Sequence, residues 1–170
     1  MYTRKVDGLI FHEHRPNIDN PLHGFVDTER IWLKFDSLIT KTAVCGVYCG
    51  FQAGDDRHGQ WNEAIYEVLS SEISDLRKQG YRIQLVGDFN GHIGSREDDG
   101  VAGNHDGVNA NGRRFLRFLE ANNLVHINGI SRLTTGLWTR QRAGVSSVID
   151  FGVISAEQLD IVKSMNIHDQ

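Results

Sequence analysis

The 170-residue chain has little cysteine, proline or methionine, with two of each. Two thiols cannot build the multi-bridge framework of a small secreted domain. Cys45 and Cys49 lie in Ala43-Val44-Cys45-Gly46-Val47-Tyr48-Cys49, whose β-branched residues predict a strand. Positions four apart in a strand are ~13 Å apart, beyond the ~7 Å reach of a disulfide. The pair therefore reads as reduced thiols without a disulfide partner, in an intracellular chain. No apolar run approaches the ~20 residues of a bilayer span. The opening Met1-Tyr2-Thr3-Arg4-Lys5-Val6-Asp7-Gly8 has no apolar stretch after its charges, so neither a membrane span nor a secretory signal is expected. An excess of positive charge is missing too: 18 Lys and Arg face 22 Asp and Glu, for a net −4. A uniformly basic, polyanion-coating surface is excluded, and any recognition of nucleic acid must be local. Eight histidines are scattered, and the one close pair, His12 and His14, shares a strand face without a Cys or His partner at zinc spacing. Those two are solvated or core histidines, or half of a zinc site.

What is present is ordinary globular material, 39% hydrophobic and 24% charged, and the length suits one domain, residues 1–170. Gly8-Leu9-Ile10-Phe11 predicts a strand followed by a loop holding Pro16 and Pro21. In Arg30–Asp36 the alternation puts Ile31, Leu33 and Phe35 on one face, predicting a half-buried strand with those three inward. Thr42–Cys49 is apolar on both faces, as in a central strand, and the two read as a hairpin. After an expected loop, Gly54–Gly59, the period turns helical from Gln60: Trp61, Ala64, Ile65, Val68, Leu69, Ile73 and Leu76 form one stripe, and Gly80 ends it. Tyr81–Val86 predicts a strand, Asn111–Asn122 a second helix, Leu124–Ile127 a short strand, Ser131–Gly144 a basic loop and Val148–Ser155 a last strand. This order indicates an α/β domain of sheets covered by helices.

Two segments carry chemistry. In Ile83-Gln84-Leu85-Val86-Gly87-Asp88-Phe89-Asn90-Gly91 an apolar strand presents a carboxylate and a carboxamide on one side where it ends. Asp88 can orient or deprotonate a water, and Asn90 can donate to a phosphoryl oxygen without adding charge. Alternatively, both merely hold an Asx turn. In Ser147-Val148-Ile149-Asp150-Phe151-Gly152-Val153-Ile154-Ser155 an acid sits in an apolar strand, and a buried carboxylate needs a partner. That partner is a functional one, or simply Ser147, Thr139 or a loop N–H.

These segments, with His92-Ile93-Gly94, Asn111-Gly112 opening a helix that continues to Leu119, Asn123-Leu124, Ile127-Asn128 and Trp138-Thr139, resemble successive motifs of the endonuclease/exonuclease/phosphatase superfamily. The flavour is closest to the endonuclease domains of LINE-type non-LTR retrotransposons and their domesticated relatives, over about residues 29–155. The resemblance implies a deoxyribonuclease I-like α/β fold, a two-sheet sandwich flanked by helices. It implies a Mg²⁺- or Mn²⁺-dependent phosphodiesterase that nicks duplex DNA, with Asp88 activating water, Asn90 contacting the scissile phosphate, Asp88 and Asn90 as metal ligands, and Asp150 orienting a histidine. Tyr48 matches a tyrosine that lines the phosphate site, although Cys49-Gly50-Phe51 follows it where the family has a Pro and an Asn; a core or rim tyrosine is the other reading. The superfamily's metal-binding Glu precedes the strand that Gly8–Phe11 represents, whereas Glu13 follows it, and the Ser-Asp-His motif has no counterpart before Asn166-Ile167-His168-Asp169-Gln170. The resemblance thus implies a domain short at both ends, with catalysis weak or lost.

From Asn111 to Arg142 six arginines stand against one acid, Glu120, a local +5 that leaves −9 for the rest of the chain. Arg132, Arg140 and Arg142 beside Trp138 suit phosphate contact and wedging against a duplex. Arg113 and Arg117 read equally as a solvated helix face. Two rival functions remain: a phosphatase or ribonuclease of the same superfamily, and a non-catalytic, DNA-binding remnant of the fold. The compartment expected is intracellular, with the nucleus among the candidates.

Overall fold

The computed structural model describes residues 5–6, 9–14, 30–37, 39–50, 56–94, 107–128, 130, 132–135, 139–142 and 145–167; for 5–14, 56–59 and 141–146 it describes the backbone alone. Seven strands form the main sheet. They are β1 (Lys5–Val6), β2 (Leu9–His14), β3 (Arg30–Asp36), β4 (Lys41–Tyr48), β5 (Arg82–Asp88), β10 (Asp150–Ser155) and β6 (Leu124–His126), side by side in that order. Every pairing is antiparallel except that of β4 with β5. That parallel pair needs a crossover, and α1 (Asp56–Lys78) lies within it. A second helix, α2 (Ala110–Ala121), packs beside α1, and a 3₁₀ turn, Ala156–Ile161, follows β10. Two small sheets complete the described fold: β7 (Thr134–Thr135) with β11 (Met165–Asn166), and β8 (Arg140–Arg142) with β9 (Val145–Ser147).

The core lies between the helices and one face of the main sheet. Trp32, Ala43, Cys45, Val47, Ile83, Leu85, Phe151 and Val153 meet the helical stripe Ile65, Val68, Leu69, Ile73 and Leu76, joined by Phe115, Phe118 and Leu119. Gly80 ends α1 in the left-handed region at φ 83°, while the Tyr81 N–H reaches back to the Leu76 carbonyl at 3.0 Å. Both cysteines are buried, and they are not joined in a disulfide.

The structure reverses the expected facing of β3. Ile31 and Leu33 point to the open face, 55% and 38% exposed, and Trp32 is 1% exposed in the core. Arg30 goes inward with Trp32 because Glu72 of α1 receives it: Nη2 lies 2.6 Å and Nε 2.9 Å from the carboxylate, and the Trp32 indole N–H donates to it at 2.7 Å. Since strand side chains alternate strictly, satisfying Arg30 and the large indole turns every other residue over. The Gly54–Gly59 loop is also overturned from Asp56 onward, where α1 has already begun. The basic loop 131–144 contains β7 and β8, and Asp150 is the first residue of its strand rather than an interior one.

Candidate active site at the end of the sheet

Tyr48, Asp88 and Asp150 stand in one row across three strands. Asp88 is in register with Tyr48 of β4 on one side and with Asp150 of β10 on the other. The row lies on the face opposite the helices, where Tyr48 is 48% exposed and both acids are half-buried. Gly87 permits the approach: a Cβ there would stand 1.9 Å from the Val47 carbonyl oxygen. Beyond the strand ends, the Cys49 N–H donates to the Asp88 carbonyl at 2.7 Å and the Phe89 N–H to the Ile149 carbonyl at 2.9 Å, so the row is clamped from both flanks.

Asp88 is held from below. Its Oδ1 accepts the Asn90 backbone N–H at 2.8 Å, which is the Asx turn, and Asn90 adopts φ 46°, a left-handed conformation that Asn tolerates. Asn90 is buried, and its Nδ2 donates to the Cys49 carbonyl at 2.7 Å. Turn-holding and site-building therefore coexist in the same two residues. Burial, above all, raises the Asp88 pKa; the Asn90 N–H opposes the shift, the Asp150 charge adds to it and the Arg140 charge counters it. A carboxylate shifted upward is a better proton acceptor than a free one.

Asp150 is fixed through its backbone. Thr139 Oγ1 accepts the N–H groups of Ile149 and Asp150 at 3.0 and 3.1 Å, while Asn128 takes the Gly152 N–H at 2.8 Å and donates to the Asp150 carbonyl at 2.9 Å. Asn109 caps α2, accepting from Gly112 at 2.7 Å and from the His92 N–H at 3.0 Å, which ties the helix start to the turn after Asn90. Gly112 is required there, since a Cβ would sit 1.9 Å from the His92 carbonyl oxygen.

Of the predicted site residues, the fold brings together Tyr48, Asp88, Asn90 and Asp150, with the Arg140 charge within electrostatic reach. Arg132 is exposed in the turn before β7, and Arg142 pairs by its backbone with Val145. Trp138 and His168 lie outside the described residues. Sequence reasoning missed a buried carboxamide relay behind the site, Asn62 with Asn111, whose only sequence trace is an amide on an otherwise apolar helix stripe. Among the described residues no group of three or more His, Cys, Asp or Glu is placed to hold a metal. The two opposed carboxylates are nevertheless the oxygen-only set that Mg²⁺ uses, with one or two acids, waters and substrate phosphate around it, and a cation would relieve the repulsion between them.

No protein-family model and no curated protein matches the sequence. Solved structures do. The endonuclease domain of TRAS1, a telomere-specific non-LTR retrotransposon, superposes with a TM-score of 0.54 at 17% identity, over 91% of this chain and 59% of that one. The chain has a deoxyribonuclease I-like fold. A β-hairpin deletion mutant of the beta toxin of Staphylococcus aureus, TM-score 0.50 and 12% identity, matches over 84% of this chain and 49% of its own. A Neisseria 3′ phosphatase, NExo, bound to a product DNA hairpin, gives 0.48 at 19% identity, over 87% and 58%. The chain thus spans 49–59% of the length of these neighbours. Against the deoxyribonuclease I-like fold, the Tyr48–Asp88–Asp150 row stands at the end of the main sheet, where loops leave side chains accessible on a rigid support.

Proposed function

We propose that the chain is a phosphodiesterase of endonuclease type that nicks duplex DNA. The observation that carries this reading is the half-buried Asp88 facing Asp150 across the sheet, beside an exposed Tyr48, in a fold similar to a retrotransposon endonuclease domain. Asp88, its pKa raised by burial, accepts the proton of the attacking water and aims it from a carboxylate that the Asn90 N–H keeps in one orientation. The Tyr48 hydroxyl and the Asn90 carboxamide are the neutral donors for phosphoryl oxygens. Arg140, exposed on β8, supplies the charge that draws the backbone phosphate to the acids. Mg²⁺ or Mn²⁺ held by Asp88 and Asp150, with Asn90 beside them, would stabilise charge on the phosphoryl oxygens.

The test is incubation of supercoiled plasmid with the purified chain and Mg²⁺, next to Asp88→Ala and an EDTA control. Nicking that both controls abolish supports the proposal. Absence of nicking with retained gel-shift binding of duplex DNA refutes it in favour of a binding module.

A further inference from the structure

Asn62 lies on α1 and is wholly buried, 0% exposed. A buried carboxamide has to place two donors and an acceptor. Its Oδ1 accepts the Gly50 N–H at 3.0 Å, and its Nδ2 donates to the Gly50 carbonyl at 2.9 Å and to Asn111 Oδ1 at 3.0 Å. The relay continues toward the site. Asn111 Nδ2 donates to the carbonyls of Gly50 and Asn90, each at 3.2 Å; Asn90 Nδ2 donates to the Cys49 carbonyl, and the Asn90 N–H to Asp88 Oδ1. Three hydrogen bonds in series, Asn62 to Asn111, Asn111 to Asn90 and Asn90 to Asp88, therefore join a core helix to the carboxylate at the sheet end.

Gly50 is the second residue beyond Tyr48, and a glycine there is the backbone position with most freedom to lose. Asn62 takes both its N–H and its carbonyl, as a neighbouring strand would. We infer that Asn62 is a positioning residue for this site: its grip on Gly50 and Asn111 sets the spacing between the Tyr48 end of β4 and the Asn90 turn, and so the aim of Asp88. The kinetic side of this inference rests on the phosphodiesterase reading, while its structural side does not.

The experiment compares Asn62→Ala with Ile73→Val, a core change lower on the same helix that touches none of these amides. In amide NMR spectra, Asn62→Ala is expected to shift Gly50, Asp88–Gly91 and the side-chain amides of Asn90 and Asn111, and Ile73→Val to leave them in place. In plasmid nicking, Asn62→Ala is expected to lower kcat by roughly tenfold or more with KM within about twofold, the split that misaimed groups produce. Unmoved Asp88 and Asn90 resonances, or a kcat no lower than that of Ile73→Val, would overturn the inference. If the parent chain does not nick, the enzyme reading fails and the spectra alone decide. Asn62→Ser, which retains an oxygen near the Gly50 N–H, replaces the alanine variant should that not fold. Should neither fold, side-chain amide exchange in the parent decides: joint protection of Asn62, Asn90 and Asn111 supports the relay, and exchange as fast as exposed Asn123 refutes it.

Discussion

Replacing Glu72 by Ala tests the account of how α1 is fastened to β3. In the native chain the Glu72 carboxylate accepts from Arg30 Nη2 at 2.6 Å, from Nε at 2.9 and 3.1 Å, and from the Trp32 indole at 2.7 Å. The Arg30 and Glu72 side chains are 2% and 4% exposed, so solvent screens little of this pair. Removing one member of such a pair takes from the buried guanidinium the carboxylate that faces it, which costs about 3–5 kcal/mol. The Trp32 N–H loses its acceptor in the same step, and because the three residues form one network its cost is already within that figure. Against a total stability of about 5–15 kcal/mol, Glu72→Ala should remove a large share of what holds the fold. For a chain of this length each kcal/mol moves Tm by about 2–4 °C, so a fall of roughly 6–20 °C is expected. Urea unfolding followed by circular dichroism, with a thermal melt at the same protein concentration, measures it. Arg30→Met combined with Glu72→Gln removes both charges and leaves an amide oxygen for Trp32, and should lose far less. A loss below about 1 kcal/mol for Glu72→Ala, the value of an exposed pair, would refute the assignment of a buried clamp.

The raised Asp88 pKa means that its ionised form opposes folding: the stability linked to it is complete below the unfolded value near 3.8 and is lost as pH rises through the folded one. Asp88→Asn should therefore abolish nicking yet stabilise the fold slightly at pH 7, by about 0.5 kcal/mol or less at a carboxylate that solvent still screens, with the gain vanishing below pH 4 in urea titrations. Gly112→Ala drives a methyl into the His92 carbonyl and should cost about 1–3 kcal/mol of unfolding free energy in a denaturant melt. Tyr81, held protonated by burial and by Asp36 up to about 12, should ionise late in phenolate absorbance, with the more deeply buried Tyr66 later still, and its share of the stability should fall away as pH rises from 10 through 12.

Local signals were legible where local physics decides. The stripe from Trp61 to Leu76 with Gly80 behind it gave α1 its end within two residues, and Gly87-Asp88-Phe89-Asn90 marked the end of a strand because glycine permits an approach that no other residue does. The start of α1 was illegible, since Gly59 and its polar neighbours read as a loop until packing extends the helix through them. Asn62 was illegible for a similar reason: one amide in a helix looks solvated until Gly50 and Asn111 close around it.

By itself, the sequence determined the class of the fold, the order of its longer strands and helices, and the motifs whose acids and amides are suited to phosphate chemistry, because periodicity, turn residues and residue type act over a few positions; the short strands of 134–147 and 165–166 it did not mark. Only the tertiary structure decided which face of β3 is inward, since Arg30 and Trp32 answer to a carboxylate some 40 residues away. It alone put Asp150 opposite Asp88, 62 positions apart in the chain and adjacent across the sheet. Strand register is a long-range quantity, set by the whole core closing at once, and the carboxylate pair is made by that closure.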